Sequence, residues 1–502
     1  MSTEARPARA SELRRRMREE SLTEKRVALV TGGASGIGWA TAARLASSGS
    51  RVVVADLDAA KARERARELG PDHRWLRVDM GDLAGAVDMV RQAAAFGRLD
   101  VLVNNAGRTT SGGVPLVEDS RETFDGIMAV NLSGGLAAAE EAARIMAMQG
   151  GGAIVNVASG AAFRAIPLRS AYSPSKAGVL AMTQKLAARW APHRVRVNVV
   201  APGFVGTELL SRLIAEGRLD PSDALRKIPL GRMGTPEEIA DCIAFMTSEA
   251  AGAITGCALK ADGGSQAFGG SGEAARRLGA EPASPPEGFP VAAIFGATSI
   301  GIACAERLAG RGMTVVLADD RKAFSSPCAA RSQRFATSDV NLADDAAMRG
   351  FLSSLARSHG RLDAVIDARV DFNAASRSRT AADTHGLLRA SGPILLAQGY
   401  GSIVSIVRSW ACLDDPAEAA EEAAIEMLSR TACCEWGGSN IRVNTVAVTG
   451  PDDGQDAKPA CRPLVAFDVA AAAGFLISSQ ASYVTGATLD VGVHALAGGQ
   501  AA

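Results

Sequence analysis

At 502 residues the chain is longer than one hydrophobic core usually organises, so two large domains are expected. Its 54 Lys and Arg balance 54 Asp and Glu, which excludes a charge-driven attraction to nucleic acid or a membrane surface and favours a small, roughly neutral ligand. Apolar residues make up 47% but aromatics only 4%; no run reaches the roughly 18 apolar residues of a spanning helix, and eight scattered cysteines without a Cys-x-x-Cys fit a reduced, cytoplasmic protein better than a zinc or disulfide framework.

Residues 1–24 mix six arginines with glutamates and lack an apolar h-region, and read as a flexible charged tail rather than a secretory signal. From residue 25 to 267, β-branched runs such as "RVALVTGG" (26–33), "RVVVADLD" (51–58), "LDVLVNNAG" (99–107), "GAIVNVAS" (152–159) and "VRVNVVAPG" (195–203) alternate with alanine-rich helical patterns. Continuous apolar strands separated by helices predict a parallel sheet covered on both faces. Residues 268–290, rich in glycine, proline and serine, read as a linker. Beyond it, over 291–502, the order begins again with "VAAIFGATSIG" (291–301), "LDAVIDA" (362–368) and "IRVNTVAVTG" (441–450). The chain is therefore read as two tandem doubly wound α/β (Rossmann-like) domains.

In the first copy "TGGASGIG" follows a strand and opens a helix, placing Gly32, Ser35, Gly36, Ile37 and Gly38 where backbone N–H groups can face a pyrophosphate. Asp56 ends the second strand, where a carboxylate can take both hydroxyls of an adenosine ribose and would repel a 2′-phosphate. NAD is therefore expected in preference to NADP. Asp79, after the third strand, is placed to bond the adenine.

These features, with "NNAG" (104–107), Asn131, Ser159, "YSPSK" (172–176), "APG" (201–203), "IPLGRMGTPEEIA" (228–240) and "DGG" (262–264), resemble the short-chain dehydrogenase/reductase family over residues 26–265. A phenol with a reference pKa of about 10 is a poor base at neutral pH unless a cation favours its ionised form. Lys176, four residues after Tyr172 on one helix face, can supply that charge. The resemblance implies that Tyr172 exchanges a proton with the substrate oxygen, Ser159 hydrogen-bonds that oxygen, Lys176 also holds the nicotinamide ribose, and Asn131 holds a water linking Lys176 to solvent. It further implies that Asn104, Ala106 and Gly107 line the ribose side, and that Thr207, after Pro202 and Gly203, lies on the carboxamide side.

In the second copy Ser299 replaces the middle glycine, "NNAG" becomes "DARV" (367–370), and Glu418 and Glu422 stand where Tyr172 and Lys176 stood. Its two tyrosines, Tyr400 and Tyr483, have no lysine four residues on, so this half is expected to be non-catalytic. Asp319 is retained at the ribose position. By resemblance to a family that pairs through the helices carrying its active-site residues, the second copy is expected to supply a partner surface within the chain, "AEAAEEAAIEMLSRTACCEW" (417–436) giving a close helix contact. Two chains would then form a homo-oligomeric pseudo-tetramer.

Arg108, Arg164 and Arg169 flank the expected pocket and can clamp an anion. Segment 204–234 reads as a lid with an apolar wall. The reading is an NAD-dependent oxidoreductase acting on a small secondary alcohol or ketone of polyol, sugar-derived or hydroxy-acid type. The alternatives are a carrier-bound 3-oxoacyl reductase and, from another class, a nucleotide-responsive scaffold.

Overall fold

The computed structural model describes residues 26–109, 115–215, 220–269, 285–320, 334–370, 379–449 and 464–493. The expected tail at 1–24 and linker residues 270–284 lie outside them.

The first half forms β1 (Val27–Thr31), β2 (Arg51–Asp56), β3 (Arg74–Arg77), β4 (Leu99–Asn104), β5 (Gly152–Val157), β6 (Val195–Pro202), β7 (Ile254–Thr255) and β8 (Ala258–Ala261). Seven of these make one sheet in the order β3-β2-β1-β4-β5-β6-β8, parallel throughout. Helices cover both faces, so β1, β4 and β6 are buried along their whole length. That is why their sequences run apolar rather than alternating. Strand order reverses between β1 and β4, and this opens a crevice at their carboxyl ends.

The second half repeats the plan with β9 (Val291–Phe295), β10 (Thr314–Asp319), β11 (Ala336–Asp339), β12 (Ala364–Asp367), β13 (Gly401–Arg408), β14 (Ile441–Val448) and β15 (Thr488–Val493), in the order β11-β10-β9-β12-β13-β14-β15. An eighth strand completes this sheet, and it is β7 of the first half: Gly492 pairs with Ile254 and Val493 with Thr255.

The halves meet at this edge. Phe245, on the helix Pro236–Thr247, stacks on Phe475, on the helix Ala466–Ile477, with ring centroids 3.9 Å apart and planes 2° from parallel. One buried apolar cluster runs without a break from Val30 and Ile239 of the first half to Leu476 and Leu489 of the second. This corrects the expected internal pairing of the two helices that occupy the active-site position. The helix Pro416–Trp436 meets the first half along its C-terminal half, where Glu426 and Arg430 lie near Lys260, Cys433 packs against Gly264, and the following Gly437 packs against Pro229. The strands β7 and β15 and the helices Pro236–Thr247 and Ala466–Ile477 carry the apolar surface; the helix 416–436 has acids along much of its length.

Helices of the first half are also tied by charge. Glu141, on the helix Gly134–Met148, accepts from Arg144 at 2.7 Å and from Arg91 of the helix Leu83–Ala95 at 2.8 Å. These bonds hold its carboxyl down from 4.5 to about 2. A depressed carboxylate contributes stability that is complete above the unfolded pKa and lost as pH falls toward the folded one. Glu141→Gln should therefore destabilise the chain at neutral pH by on the order of 1 kcal/mol, a value limited by screening at the two half-exposed arginines. The difference from the parent should shrink between pH 4.5 and 2 in urea denaturation.

Candidate functional site

The crevice at the β1–β4 reversal widens into a cavity of about 720 Å³. At one end the chain leaves β1 through Gly32 (φ +61°) and Gly36 (φ +51°), left-handed conformations that favour glycine. A Cβ at Gly32 would lie 2.9 Å from Asn105 Nδ2 and 3.0 Å from the Ala106 backbone. One at Gly38 would lie 2.0 Å from the Gly32 carbonyl, so Gly38 serves by letting the helix Gly36–Ser47 close onto the strand. A Cβ at Gly36 would meet Thr207 Cγ2 only at 3.6 Å, which leaves room beside the helix start for a ligand to approach.

Asp56 and Asp79 line the same end. The Asp56 carboxylate is fixed by N–H groups of Ala34 (3.0 Å) and Asp58 (3.1 Å). Asp79 is exposed and accepts from Gly81 N–H at 2.8 Å.

Ser159, Tyr172 and Lys176 converge at the other end, with Ala106, Gly107, Arg108, Pro202, Gly203 and Thr207 between, and with Ser35 and Ile37 lining the glycine turn. Tyr172 opens the helix Tyr172–Trp190, and Lys176 lies one turn on with Nζ 5.8 Å from the phenol ring centroid. Lys176 is buried, and its ammonium donates to the Val157 carbonyl at 2.9 Å. Burial lowers its pKa to about 8. Burial also raises the Tyr172 phenol, against which act a hydrogen bond with Ser159 and the charge of Arg169.

Asn131 sits in a π-helical turn, Ala129–Ser133. Its Oδ1 accepts from Arg108 N–H at 2.8 Å, while Nδ2 donates to the Arg108 carbonyl and to Ser175 Oγ, both at 3.0 Å. The amide thereby clamps the segment after Gly107 beside Lys176.

Asn104 does not join the cavity. Its Nδ2 donates to Asn156 Oδ1 at 2.9 Å and to the Gly135 carbonyl at 3.0 Å, within the core on the other side of β4. Asn105 lines the cavity instead and bonds the Thr31 and Gly32 carbonyls at 3.0 and 3.2 Å. The alternation of side chains along a strand was the available signal.

The three arginines also part company. Arg108 lines the main cavity, whereas Arg164 and Arg169 line a neighbouring cleft with Phe163, Ile166 and Leu168. Arg169 donates to Thr109 Oγ1 at 3.2 Å. A single three-arginine clamp is therefore not formed. Phe204, Val205, Glu208 and Leu210 of the expected lid wall the main cavity; residues 216–219 of that lid lie outside the described residues.

In the second half Arg408 ends β13 at the place that Ser159 follows in β5, and it pairs with Glu418 at 3.0 Å and Glu422 at 3.1 Å. Asp367, at the place of Asn104, is fully buried between Arg369 (2.8 Å) and Arg379 (3.0 Å), and these charges hold it below the usual carboxylate range. Arg369 stands where Ala106 does in the first half. Asp319 keeps its bond to the Ala297 N–H, as Asp56 does to Ala34.

Comparison with known proteins gives a match to the family model described as enoyl-(acyl carrier protein) reductase over residues 32–266 and again over 296–494. An uncharacterized short-chain type dehydrogenase/reductase of Sinorhizobium fredii is 33% identical, covering 95% of this chain and 93% of its own. The D-threitol dehydrogenase of Mycolicibacterium smegmatis is 44% identical over 48% of this chain and 92% of its own. The NAD-dependent glycerol dehydrogenase of Listeria innocua is 38% identical over 49% of this chain and 94% of its own.

Proposed function

Because the chain belongs to the short-chain dehydrogenase/reductase family, and is thus an NAD(P)-dependent oxidoreductase, we propose that residues 25–267 form its catalytic unit. The substrate in this reading is a small secondary alcohol or ketone of polyol, sugar-derived or hydroxy-acid type, and the preferred cofactor is NAD. The observation that carries it is the convergence of Ser159, Tyr172 and Lys176 on a cavity whose far end holds the glycine turn and Asp56. Relatives named for threitol and glycerol support a polyol.

The cavity fits a dinucleotide. Gly36 leaves the helix start open to a pyrophosphate, and Asp56, fixed by two backbone N–H groups, offers its carboxylate to ribose hydroxyls. A bound nicotinamide supplies the hydride exchange with the substrate carbon. The Tyr172 hydroxyl passes the proton to or from the substrate oxygen, and Ser159, bonded to that hydroxyl, steadies charge on the same oxygen. Lys176, one helical turn from the phenol, and Arg169 both favour its ionisation, against the burial that raises it. Asn131 holds the loop after Gly107 in place beside Lys176, and Arg108 is the arginine best placed to meet an anionic substrate.

Residues 291–502 form a second unit that does not catalyse: an arginine and two acids occupy the places of serine, phenol and ammonium. Two chains pair through the first-half helices 134–148 and 172–190. The protein works in the cytoplasm.

The test is nicotinamide absorbance turnover with NAD and NADP against neutral polyols and hydroxy acids, using wild type and Asp56→Ser. Wild type should prefer NAD by at least about tenfold, as one like-charge contact of about 1.4 kcal/mol would give, and Asp56→Ser should erase the preference. NADP preference in the wild type would overturn the cofactor assignment, and activity confined to carrier-bound 3-oxoacyl substrates would favour the reductase reading.

A further inference from the structure

The second half reaches the lid of the first. Tyr483, just before β15, is fully buried, and its hydroxyl donates to the Phe204 carbonyl at 3.0 Å. That carbonyl also accepts the Gly234 N–H at 2.9 Å, while Gly206 N–H donates back to the Gly234 carbonyl at 2.9 Å. The Tyr483 ring lies flat in a slot that only glycines permit: a Cβ at Gly234 would come within 2.5 Å of it, and one at Gly263 within 2.8 Å. Phe204 immediately follows Pro202-Gly203, and with Val205, Thr207, Glu208 and Leu210 it walls the cavity.

The contact is one-sided. "GAITG" (252–256) and "SYVTG" (482–486) are corresponding segments of the two copies, and each backbone crosses to the other half: the Tyr483 carbonyl accepts from Gly263, and the Ala253 carbonyl from Gly492. The half without the catalytic trio supplies a tyrosine to the half that has it and receives an alanine in return. Burial raises the Tyr483 phenol above its ordinary range, which favours the donor form.

We propose that Tyr483 is a positioning residue for the first-half active site, its hydroxyl pinning the root of the 204–215 lid from the neighbouring unit. The non-catalytic copy thereby sets lid closure over the substrate as well as covering an apolar face. The proposal rests on the reading of residues 25–267 as the catalytic unit, but lid motion can be measured without turnover.

The experiment uses the full chain with Tyr483→Phe, which removes one oxygen and keeps the ring, beside Phe475→Leu, which loosens the same interface elsewhere. Hydrogen exchange over 203–215 and around Gly234 should quicken about fivefold in Tyr483→Phe, the factor that one net hydrogen bond carries. Substrate KM should rise by a similar factor, with kcat within about twofold. Phe475→Leu should lower the thermal midpoint and leave lid exchange as in wild type. Unchanged lid exchange in Tyr483→Phe, or the same change in Phe475→Leu, would overturn the proposal. A wild type without turnover, but with lid exchange that still responds to Tyr483→Phe alone, would remove the catalytic reading and keep the anchor.

Discussion

Replacing Tyr172 by phenylalanine should lower kcat by about 10²- to 10⁴-fold, the usual contribution of a positioned proton donor or acceptor, while nicotinamide nucleotide still binds. The ring that packs at the start of the helix Tyr172–Trp190 stays, so fold and cavity are preserved, and only the hydroxyl shared with Ser159 is lost. Ser159→Ala removes the other member of that hydrogen bond and should cost less, because the phenol remains to move the proton. Glu418→Gln with Glu422→Gln, the same helix positions in the second half, should leave turnover as it was: in wild type those acids are paired to Arg408. Equal rates for wild type and Tyr172→Phe would end the enzymatic reading of this site. Loss of activity in the Glu418/Glu422 variant at unchanged stability would show that the second half takes part in the chemistry.

Much of this site could be read in the sequence because its chemistry is local. Tyr172 and Lys176 are one helical turn apart, the glycine turn joins one strand to one helix, and Asp56 ends the adjacent strand. Each of these placements follows from secondary-structure periodicity alone. The departures have the opposite character. Asn104 and Asn105 differ by one residue, so which of them faces the cavity depends on strand phase at a carboxyl end, where the chain is already leaving the sheet. Arg169 sits in the neighbouring cleft, and its charge reaches the phenol only because the loop 163–171 folds back, which no periodicity sets. The contact between halves was the hardest to see: Tyr483 and Phe204 are 279 positions apart, and the fold of either copy alone gives no sign that β7 will finish the other's sheet.

That shared sheet carries the second large expectation. A chain ending at residue 284 keeps every residue of the proposed catalytic unit, yet it should not persist as a folded, active monomer. Removing the second half uncovers Phe245, which stacks on Phe475, and Ile254, each at most 6% exposed in the whole chain, and leaves β7 without its partner strand. Exposing two such side chains costs roughly 1.5–3 kcal/mol each, a sizeable share of the entire stability of about 5–15 kcal/mol typical of a domain. It also presents an open apolar edge to other chains. The fragment should therefore aggregate, or pair with a second copy of itself through the same face, and size-exclusion chromatography with light scattering separates these states from a monomer. Self-pairing would still place Ala253, not a tyrosine, opposite the Phe204 carbonyl, so such a dimer should keep its fold while its lid exchanges faster than in the full chain. A monomeric fragment with the thermal midpoint and KM of the parent would show that neither cover nor anchor is needed. The two duties of the second copy, burying an apolar edge and holding a lid, need no cofactor and no catalytic side chain, so its turn and catalytic positions can change while Tyr483 and the edge strand stay.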